Sequence, residues 1–539
     1  MSAPGDDPSW LADLEGPGAY PDDPGASAGI QRIDTHISHV FLTAARAYKI
    51  RRPVRLSFLD FSSAEERLAD CLREVALNRR LAAEVYLGIA PIIADAAGAG
   101  VHIGRVGEAP DTSAGVVEHC VVMRRLPTGR DLRSMLARGE ATDAHVDRIA
   151  ERLASFHAAH SLGRPSPSAA EDWLARATAP ARANIDTLAA APPSLAPPAE
   201  VDEARRLAAR FVEEWREDFD ARRADGRVVD GHGDLHTEHV WFEHDSSEPL
   251  MIDCLEFRDD FRCIDAASDI AFLAMDLTYQ GRADLAARFL RRYARAGGDY
   301  HLFAVVDYFL SYRALVRAKV ASLVATDASM SAAQRDHAVE SVRRHLDLAL
   351  GFLAPRGPGS LVLTCGTIGT GKTTVAEALA DVTGGVVISS DWLRRDTVQP
   401  AREAPYGGGR YSEQARAAVY DRLLAEARHV VKSGRTVILD ATWARRSRRD
   451  AAVVWARQHA RDCVLIEVVA ERDDVIARLA ARATAGNDAS EAGPGLYDAI
   501  RAEFEDPAEW PSERRARVDT SAADWREQVA LAARSVRIA

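Results

Sequence analysis

Apolar and polar positions along the first part of the chain predict a small sheet-rich lobe. Two strand-like segments, HVFLTAARAYKI and VRLSFLDF, precede the amphipathic run AEERLADCLREVALNRRLAAEVYLGI, and the apolar stretch VVEHCVVMRRL follows that run. Alternation with a period of two favours strands, whereas apolar residues spaced three and four apart favour a helix. We therefore expect strand, strand, helix and strand over residues 33–126.

From residue 127 to residue 352 the pattern becomes mainly helical. It is interrupted by the Ala/Pro stretch APPSLAPPAE and by the strand-like pieces HVWFEH and PLMIDCLEF. This indicates a larger helical lobe behind the first one. Residues 1–32 are rich in Pro, Gly and Asp, a composition typical of a loosely ordered and flexible N-terminal arm.

A second module is predicted beyond a short linker. Residues 353–360 (LAPRGPGS) have a turn and linker composition, and the apolar run LVLTC starts directly after them. In residues 361–539 the buried-strand candidates LVLTC, GVVISS, TVILDAT and CVLIEVVA alternate with helical patterns such as SEQARAAVYDRLLAEARHVV. Such alternation predicts repeated βαβ units and an α/β fold with a parallel sheet.

Composition and charge narrow the function classes. Of the 539 residues, 47% are hydrophobic and 27% are charged, as in ordinary globular proteins, and the formal charge is −12. An acidic total argues against broad, sequence-independent nucleic-acid binding, which needs a basic surface. The chain lacks an apolar run of 18 residues, and its acidic start lacks the order of a signal peptide. We expect a cytoplasmic protein without a membrane segment.

Lysine is scarce, and its scarcity makes each lysine informative. Of the 68 basic side chains, the lysines are Lys49, Lys319, Lys372 and Lys432, and the others are Arg. An ammonium is a compact charge on a thin stem that can reach between phosphates, where the planar guanidinium substitutes poorly. Lys49 and Lys372 are therefore candidate phosphate ligands, while Lys319 and Lys432 are explained equally well as surface residues. The six cysteines are scattered without zinc-site spacing, which is typical of reduced thiols.

Residues 366–373 (GTIGTGKT) satisfy the pattern G-x-x-x-x-G-K-[ST] between the strand LVLTC and a helical segment. Glycines let such a loop turn so that backbone N–H groups face phosphate oxygens. Lys372 would bridge the outer phosphates, and Thr373 would supply a hydroxyl to Mg²⁺. The predicted ligands of ATP phosphates are Gly366, Thr367, Gly369, Thr370, Gly371, Lys372, Thr373 and Thr374.

From residue 361 to about residue 520 the chain resembles the small P-loop kinases related to gluconate, shikimate and polynucleotide 5′-hydroxyl kinases. The segments SSDWLRR and LDAT, after the second and third strands, carry this resemblance together with the loop. It implies that Asp391 faces the substrate as a catalytic group and that Asp440 helps to hold Mg²⁺. In RLAAR (478–482) it implies that Arg482, and less directly Arg478, covers the transferring phosphate.

Asp391 and the Arg-rich segment 441–461 of this module each allow an alternative interpretation. Asp391 could instead cap the helix that starts near WLRRD. The Arg-rich segment 441–461 favours a solvated helix face over recognition of an anionic substrate, and Arg449 is its single candidate for a functional role.

A second constellation starts at HGDLH (232–236) and continues with Asp253, Asp265 and Asp269. One reading is a metal site of His232, His236 and His239, but glycines around His232 interrupt the helix that such a site needs. The alternative reading is a kinase arrangement. Asp234 would take the proton of an acceptor hydroxyl, and Asp253 would hold Mg²⁺ against the phosphates.

Residues 33–350 resemble the aminoglycoside phosphotransferase-like kinases, and the whole chain resembles bacterial bifunctional proteins that fuse such a domain to a P-loop kinase. AYKIRRPV, ALNRRLAAEVYLG, VVMRRLP, HGDLHTEHV and IDCLEF carry this resemblance. It implies a bilobal, protein-kinase-like α+β domain. It also implies that Lys49 contacts the α and β phosphates, that Glu74 is its partner, and that the segment starting at Met123 borders the adenine.

This chain departs from the kinase pattern at two places. His239 stands five residues after Asp234, where kinases place an Asn that binds the metal, and imidazole suits Mn²⁺ better than Mg²⁺. The start of the domain offers only THISH (35–39) in place of a Gly-rich phosphate loop. A pseudokinase therefore remains an alternative, and we expect Asp265 and Asp269 to anchor the catalytic loop.

The sequence thus predicts a two-module phosphotransferase that uses ATP and Mg²⁺ and acts on small hydroxylated molecules. One alternative is a regulatory first domain that binds a nucleotide or metabolite and controls the second. Another is an NTPase-driven switch without a small acceptor. Fold resemblance does not name the acceptors or the oligomeric state, because both kinase groups accept many substrates.

Overall fold

The computed structural model describes residues 8–56, 59–95, 100–111, 115–166, 169–397, 413–485, 497–536 and 538. The chain forms two compact units. Unit 1 contains residues 1–169 and 223–276, and unit 2 contains residues 170–222 and 277–539. The helical segments 170–222 and 277–353 thus belong to the same unit as the P-loop module. The predicted lobe and linker boundaries stay predictions. In the described part of the chain, no helix is both long and apolar enough to cross a membrane.

The first part of unit 1 is an antiparallel sheet with one long helix. Its elements are β1 (Gln31–Asp34), β2 (Ser38–Leu42), β3 (Arg46–Arg51), β4 (Arg55–Leu56), β5 (Leu59–Asp60), α1 (Ala64–Ala82), β6 (Tyr86–Ala94), β7 (Val101–Ile103) and β8 (Val116–Arg124). The strand order of the main sheet is β1-β2-β3-β8-β6-β7. Ser63 caps α1 by accepting a hydrogen bond from the Glu66 N–H at 3.2 Å. One face of α1, including Cys71 and Val75, packs with Tyr86 and other residues of the core.

The N-terminal segment differs from the expected loose arm. Residues Ser9–Glu15, Pro17–Ala19 and Pro24–Ala28 form short 3₁₀ helices. Leu11, Leu14 and Tyr20 are buried in one apolar cluster with residues of the sheet. The Pro/Gly/Asp composition suggested disorder, but a few well-spaced large apolar side chains are enough to anchor the segment.

The next elements complete unit 1 and contribute helices to unit 2. In chain order they are α2 (Leu132–Ala137), α3 (Asp143–Ala159), α4 (Ala170–Ala189), α5 (Pro198–Glu214), α6 (Arg216–Ala224), β9 (Val228–Asp230), β10 (Val240–Trp241), β11 (Leu250–Met251), β12 (Cys263–Asp265), α7 (Ala266–Tyr279), α8 (Ala283–Gly297), α9 (Val306–Thr326) and α10 (Ala332–Leu353). Short antiparallel pairs, β9 with β12 and β10 with β11, frame the loop that contains HGDLH. The predicted helical character of this region is confirmed.

The P-loop module is an α/β sandwich within unit 2. Its elements are β13 (Leu361–Cys365), α11 (Lys372–Thr383), β14 (Val386–Ser389), α12 (Ser390–Thr397), α13 (Glu413–Lys432), β15 (Val437–Asp440), α14 (Arg446–His459), β16 (Cys463–Val469), α15 (Arg472–Ala485), α16 (Tyr497–Ala502), β17 (Arg515–Asp519) and α17 (Trp525–Ser535). All strand pairs are parallel, in the order β14-β15-β13-β16-β17. The predicted parallel sheet is therefore confirmed. Its topology brings the carboxyl ends of β13, β14 and β15 to one edge.

Candidate active sites

The loop after β13 requires glycine at particular positions. A Cβ on Gly366 would lie 2.3 Å from the carbonyl oxygen of Val468, so any side chain there would displace backbone. Gly369 and Gly371 have φ angles of +77° and +85°, in the left-handed region that favours glycine. Gly371 directly precedes α11, so the loop delivers the chain into the N-terminus of a helix. This geometry fits a phosphate cradle.

Lys372 and the neighbouring threonines close over the loop. The Lys372 ammonium donates a hydrogen bond to the carbonyl oxygen of Thr367 at 2.8 Å, and the Thr370 hydroxyl donates to the same oxygen at 2.9 Å. Lys372 thus reaches back across the loop to which it belongs. Thr373 and Thr374 lie exposed in the first turn of α11.

A hydroxyl and a carboxylate meet beside this loop. The Thr373 hydroxyl donates to Asp440 Oδ2 at 2.7 Å, and Asp440 is the last residue of β15. Burial raises the pKa of Asp440, while the Lys372 charge and the Thr373 hydrogen bond oppose that rise. Two hard oxygen donors at the end of a phosphate loop suit Mg²⁺. The residues present therefore fit the predicted metal, and bound Mg²⁺ would offset negative charge on the phosphates.

Asp391 lies at the same edge of the sheet, inside the first turn of α12. Its carboxylate accepts a hydrogen bond from Arg394 at 2.7 Å, and its backbone N–H donates to the Ser389 hydroxyl at 3.3 Å. The side chain is about one-third exposed. Because α12 begins at Ser390, the structure does not place Asp391 at the helix-capping position. The carboxylate is instead ion-paired and open to solvent.

The arginine candidates have different surroundings. Arg478, on α15, donates to the Thr520 hydroxyl at 2.8 Å and to the Thr520 carbonyl at 2.9 Å, next to the phosphate loop. Arg482 lies near the end of α15, and its side chain is outside the described part of the structure.

The position of Arg449 differs from both interpretations that the sequence allowed. Arg449 is fully buried, donates to the carbonyl oxygens of Trp443 and Glu505 at 2.8 and 3.0 Å, and pairs with Glu509 at 2.5 Å. It belongs neither to a solvated helix face nor to a substrate-facing surface, because it ties α14 to the segment around Glu505.

In unit 1 the structure brings three predicted residues together across long sequence separations. The Lys49 ammonium, on β3, lies 2.9 Å from Glu74 Oε1 on α1 and 2.8 Å from Asp253 Oδ1 after β11. Burial opposes the charge on Lys49, but Asp253 and Glu74 raise the pKa of that ammonium. Burial alone would raise the pKa of Asp253, yet Lys49 and His239 hold it below the usual range. Lys49 and Asp253 therefore form a charged pair at neutral pH. Met123, on β8, is paired in register with Ala47 and Tyr86 beside this group.

Sequence reasoning missed a buried arginine, Arg51, that lies next to the Lys49, Glu74 and Asp253 group. Arg51 contacts Asp70 at 2.7 Å, Glu74 at 2.5 Å and Glu256 at 2.5 Å. It thereby fixes the carboxylate of Glu74, which is fully buried. The available signal was the spacing: Arg51 follows Lys49 by two residues on one strand, so both side chains point to the same face.

The HGDLH loop is held by Asp269, at the start of α7. Asp269 accepts hydrogen bonds from the backbone N–H of His232 at 2.8 Å and of Gly233 at 2.7 Å, and from His157 at 2.9 Å. Burial would raise the pKa of Asp269, but the hydrogen bond from His157 and nearby imidazoles lower it. Asp269 therefore has the anchoring place that we expected for it.

His239, the predicted metal ligand, lies between Asp234 and Asp253. Its Nδ1 is 2.8 Å from the carbonyl oxygen of Asp234, within hydrogen-bond distance. Nε2 lies 3.5 Å from Asp253 Oδ2. Asp234, His236 and His239 also present ligand atoms within 4.8 Å of one another. The site thus offers nitrogen and oxygen donors to a divalent ion, with Asp234 one-third exposed beside them.

Comparisons with known proteins agree with the two-module organisation. Residues 43–304 match the family model described as "Phosphotransferase enzyme family", and residues 361–507 match the model described as "AAA domain". Uncharacterised proteins of Mycobacterium tuberculosis and Mycobacterium bovis are 35% identical over 464 residues, which is 85% of this chain and 87% of theirs. These matches confirm the predicted order of the two modules.

Solved structures match parts of the chain at lower similarity. A gluconokinase from Sinorhizobium meliloti is 21% identical, covering 34% of this chain and 95% of its own, with a TM-score of 0.24. A Plasmodium vivax ethanolamine kinase is 10% identical, covering 60% of this chain and 82% of its own, with a TM-score of 0.35. An amicoumacin kinase in complex with AMP-PNP and Ca²⁺ is 14% identical, covering 59% and 88%, with a TM-score of 0.35.

Proposed function

Because the chain belongs to the family of these mycobacterial proteins and carries a phosphotransferase-family domain before a P-loop domain, we propose that it is a double ATP-dependent kinase. Each module would bind ATP with Mg²⁺ and transfer the γ-phosphoryl group to the hydroxyl of a small molecule. The products of each turnover are a phosphomonoester, ADP and the proton released from the hydroxyl.

The observation that carries this proposal is the Lys49, Glu74 and Asp253 group of unit 1. An ammonium fixed between two carboxylates, one fully buried and the other beside a metal position, is the arrangement that orients phosphates in kinases. Asp234, partly exposed on the loop anchored by Asp269, would accept the hydroxyl proton as the oxygen attacks phosphorus. His239 and Asp253 would hold the metal ion.

In the P-loop module the glycines of residues 366–371 would wrap the phosphates. Lys372 would exchange its contact with Thr367 for phosphate oxygens, and Thr373 with Asp440 would hold Mg²⁺. Asp391, which is paired with Arg394 and about one-third exposed, would orient or deprotonate the acceptor hydroxyl. Arg482 would reach the transferring phosphate from α15.

A regulatory first domain is the second candidate, and a specific feature favours it. Where kinases place an Asn ligand, this chain would offer the imidazole of His239, which is a softer ligand than the oxygen donor that Mg²⁺ prefers. In that case unit 1 would bind a nucleotide without transferring phosphate.

Nucleotide stoichiometry tests the proposal on the full chain. Titration calorimetry with a non-hydrolysable ATP analogue and Mg²⁺ or Mn²⁺ should find two binding events. Lys372→Ala should remove one event and Asp253→Ala the other, because each removes a charge that acts on the phosphates directly or through the metal. As a matched control, Asp284→Asn, an exposed carboxylate on α8, should retain both. A single event that survives Asp253→Ala would refute a metal-dependent nucleotide site in unit 1.

A further inference from the structure

Unit 2 contains a cluster of two histidines and one aspartate that phosphotransfer does not use. Asp218 lies on α6, His301 in the 3₁₀ turn Tyr300–Ala304, and His429 on α13 of the P-loop module. One nitrogen of each imidazole and one carboxylate oxygen lie within 4.8 Å of one another. Side chains from positions so distant in the sequence therefore converge at one point.

The distances in the cluster fit a small metal ion. His301 Nε2 is 2.9 Å and His429 Nδ1 is 3.5 Å from the same atom, Asp218 Oδ1. Zinc binds nitrogen and oxygen at about 2.0–2.2 Å in tetrahedral sites, so neighbouring ligand atoms lie about 3.3–3.5 Å apart. The observed separations bracket this value. The two imidazole rings form a tilted contact, with centroids 4.0 Å apart and planes inclined by 32°.

A lysine lies beside the Asp218 carboxylate, and all three ligand side chains are partly exposed. Lys432 lies 3.5 Å from the other oxygen, Oδ2, and 3.7 Å from the centroid of the Trp215 ring. The ammonium therefore neutralises one carboxylate oxygen, while the imidazoles face the other. Asp218 and His301 are each 16% exposed and His429 is 28% exposed, so an ion can enter from solvent.

We propose that Asp218, His301 and His429 form a binding site for a divalent transition metal of the Zn²⁺ class, with water as the fourth ligand. Two imidazoles and one carboxylate select Zn²⁺ over Mg²⁺ or Ca²⁺, which require mostly oxygen ligands. The bound ion would fasten α13 of the P-loop module to α6 and to the turn at His301, all within unit 2. This role is independent of the phosphotransfer proposed above.

Zinc binding to the full chain tests this site. After removal of metals with a chelator, calorimetric titration with Zn²⁺ should show a binding event that His301→Gln and His429→Gln each weaken by more than about 100-fold, since each removes a ligand. Titration with Co²⁺ should give the absorption bands of a tetrahedral ion, and both variants should lose them. His459→Gln is the matched control, because His459 lies on α14 and stacks on Trp455 outside the cluster. It should bind Zn²⁺ as the unmodified chain does.

Two further variants keep the test decisive. His236→Gln removes a ligand of the other candidate metal group and should leave the proposed event in place. Lys432→Met should tighten Zn²⁺ binding, because it removes a positive charge next to the site. Retention of ATP turnover by the glutamine variants would show that they fold. Zn²⁺ affinity and Co²⁺ spectra that are unchanged by both His301→Gln and His429→Gln would overturn the site and leave only an ion-pair cluster.

Discussion

Removal of the Asp269 carboxylate should release the HGDLH loop from its anchor. Asp269 is fully buried and accepts the backbone N–H groups of His232 and Gly233 at 2.8 and 2.7 Å, together with His157. A hydrogen bond to a charged group contributes about 1.5–3 kcal/mol, so Asp269→Ala should cost about 3–6 kcal/mol in the two loop bonds alone. This corresponds to an increase of about 10²- to 10⁴-fold in the equilibrium for opening the loop. Asp269→Asn keeps one acceptor oxygen and should lose roughly half of that free energy.

Hydrogen–deuterium exchange of peptides that cover residues 230–236 measures this opening locally. A local measurement is required because a chain with two compact units need not unfold in one transition. Exchange should be fastest in Asp269→Ala, intermediate in Asp269→Asn and unchanged in the exposed control Asp284→Asn. Asp234 sits on the same loop, so transfer by unit 1 should fall in the same order. Equal protection of these peptides in Asp269→Ala and the unmodified chain would refute the anchoring role.

Three other variants have expected outcomes. Asp391→Asn should leave nucleotide affinity nearly intact and cut transfer by the P-loop module about 10²- to 10⁴-fold; an equal loss of affinity in calorimetry would make Asp391 structural. His239→Asn should preserve or raise Mg²⁺-supported transfer by unit 1, because an amide oxygen suits a hard cation, and loss of that transfer would show that an oxygen donor does not replace the imidazole at this position. Burial lowers the pKa of His232 to about 4 from 6.5, so the unfolded chain binds the proton first, and the stabilisation present above pH 6.5 is lost as pH falls towards 4. The loss of unfolding free energy is at most about 3 kcal/mol. Denaturation measured between pH 7 and pH 4 should therefore show a steeper loss of stability for the unmodified chain than for His232→Asn. Identical pH profiles of the two chains would contradict a buried neutral imidazole at His232.

Features that depend on short stretches of sequence were predictable. The P-loop could be recognised from eight consecutive residues, because the glycine positions and the helix that follows them are determined locally. The Lys49, Glu74 and Asp253 group was reached through resemblance, since no local rule connects residues that are about 200 positions apart. Arg51 was missed for the same reason, because its partners Asp70 and Glu256 become neighbours only in the fold.

Other misses have identifiable physical causes. The strand β6 was absorbed into the helical run before it, because apolar residues recur on both sides of Glu84 at a spacing that also fits a helix. The strand β17 has the sequence RARVD, whose polar residues hide its pairing with β16. Arg449 was the single functional candidate of segment 441–461, but it is buried, because charge counts ignore the segment around Glu505 that covers that side of α14.

The most direct test of the central claim is transfer of labelled γ-phosphate from ATP to small molecules by the full chain. A panel of hydroxylated metabolites would be incubated with the unmodified chain, with Asp234→Ala, with Lys372→Ala and with the double variant, and products would be separated by mass. The account predicts a labelled phosphomonoester from the unmodified chain, loss of one activity in each single variant and of all transfer in the double variant. Release of labelled inorganic phosphate alone, with no acceptor phosphorylated by the unmodified chain, would contradict it.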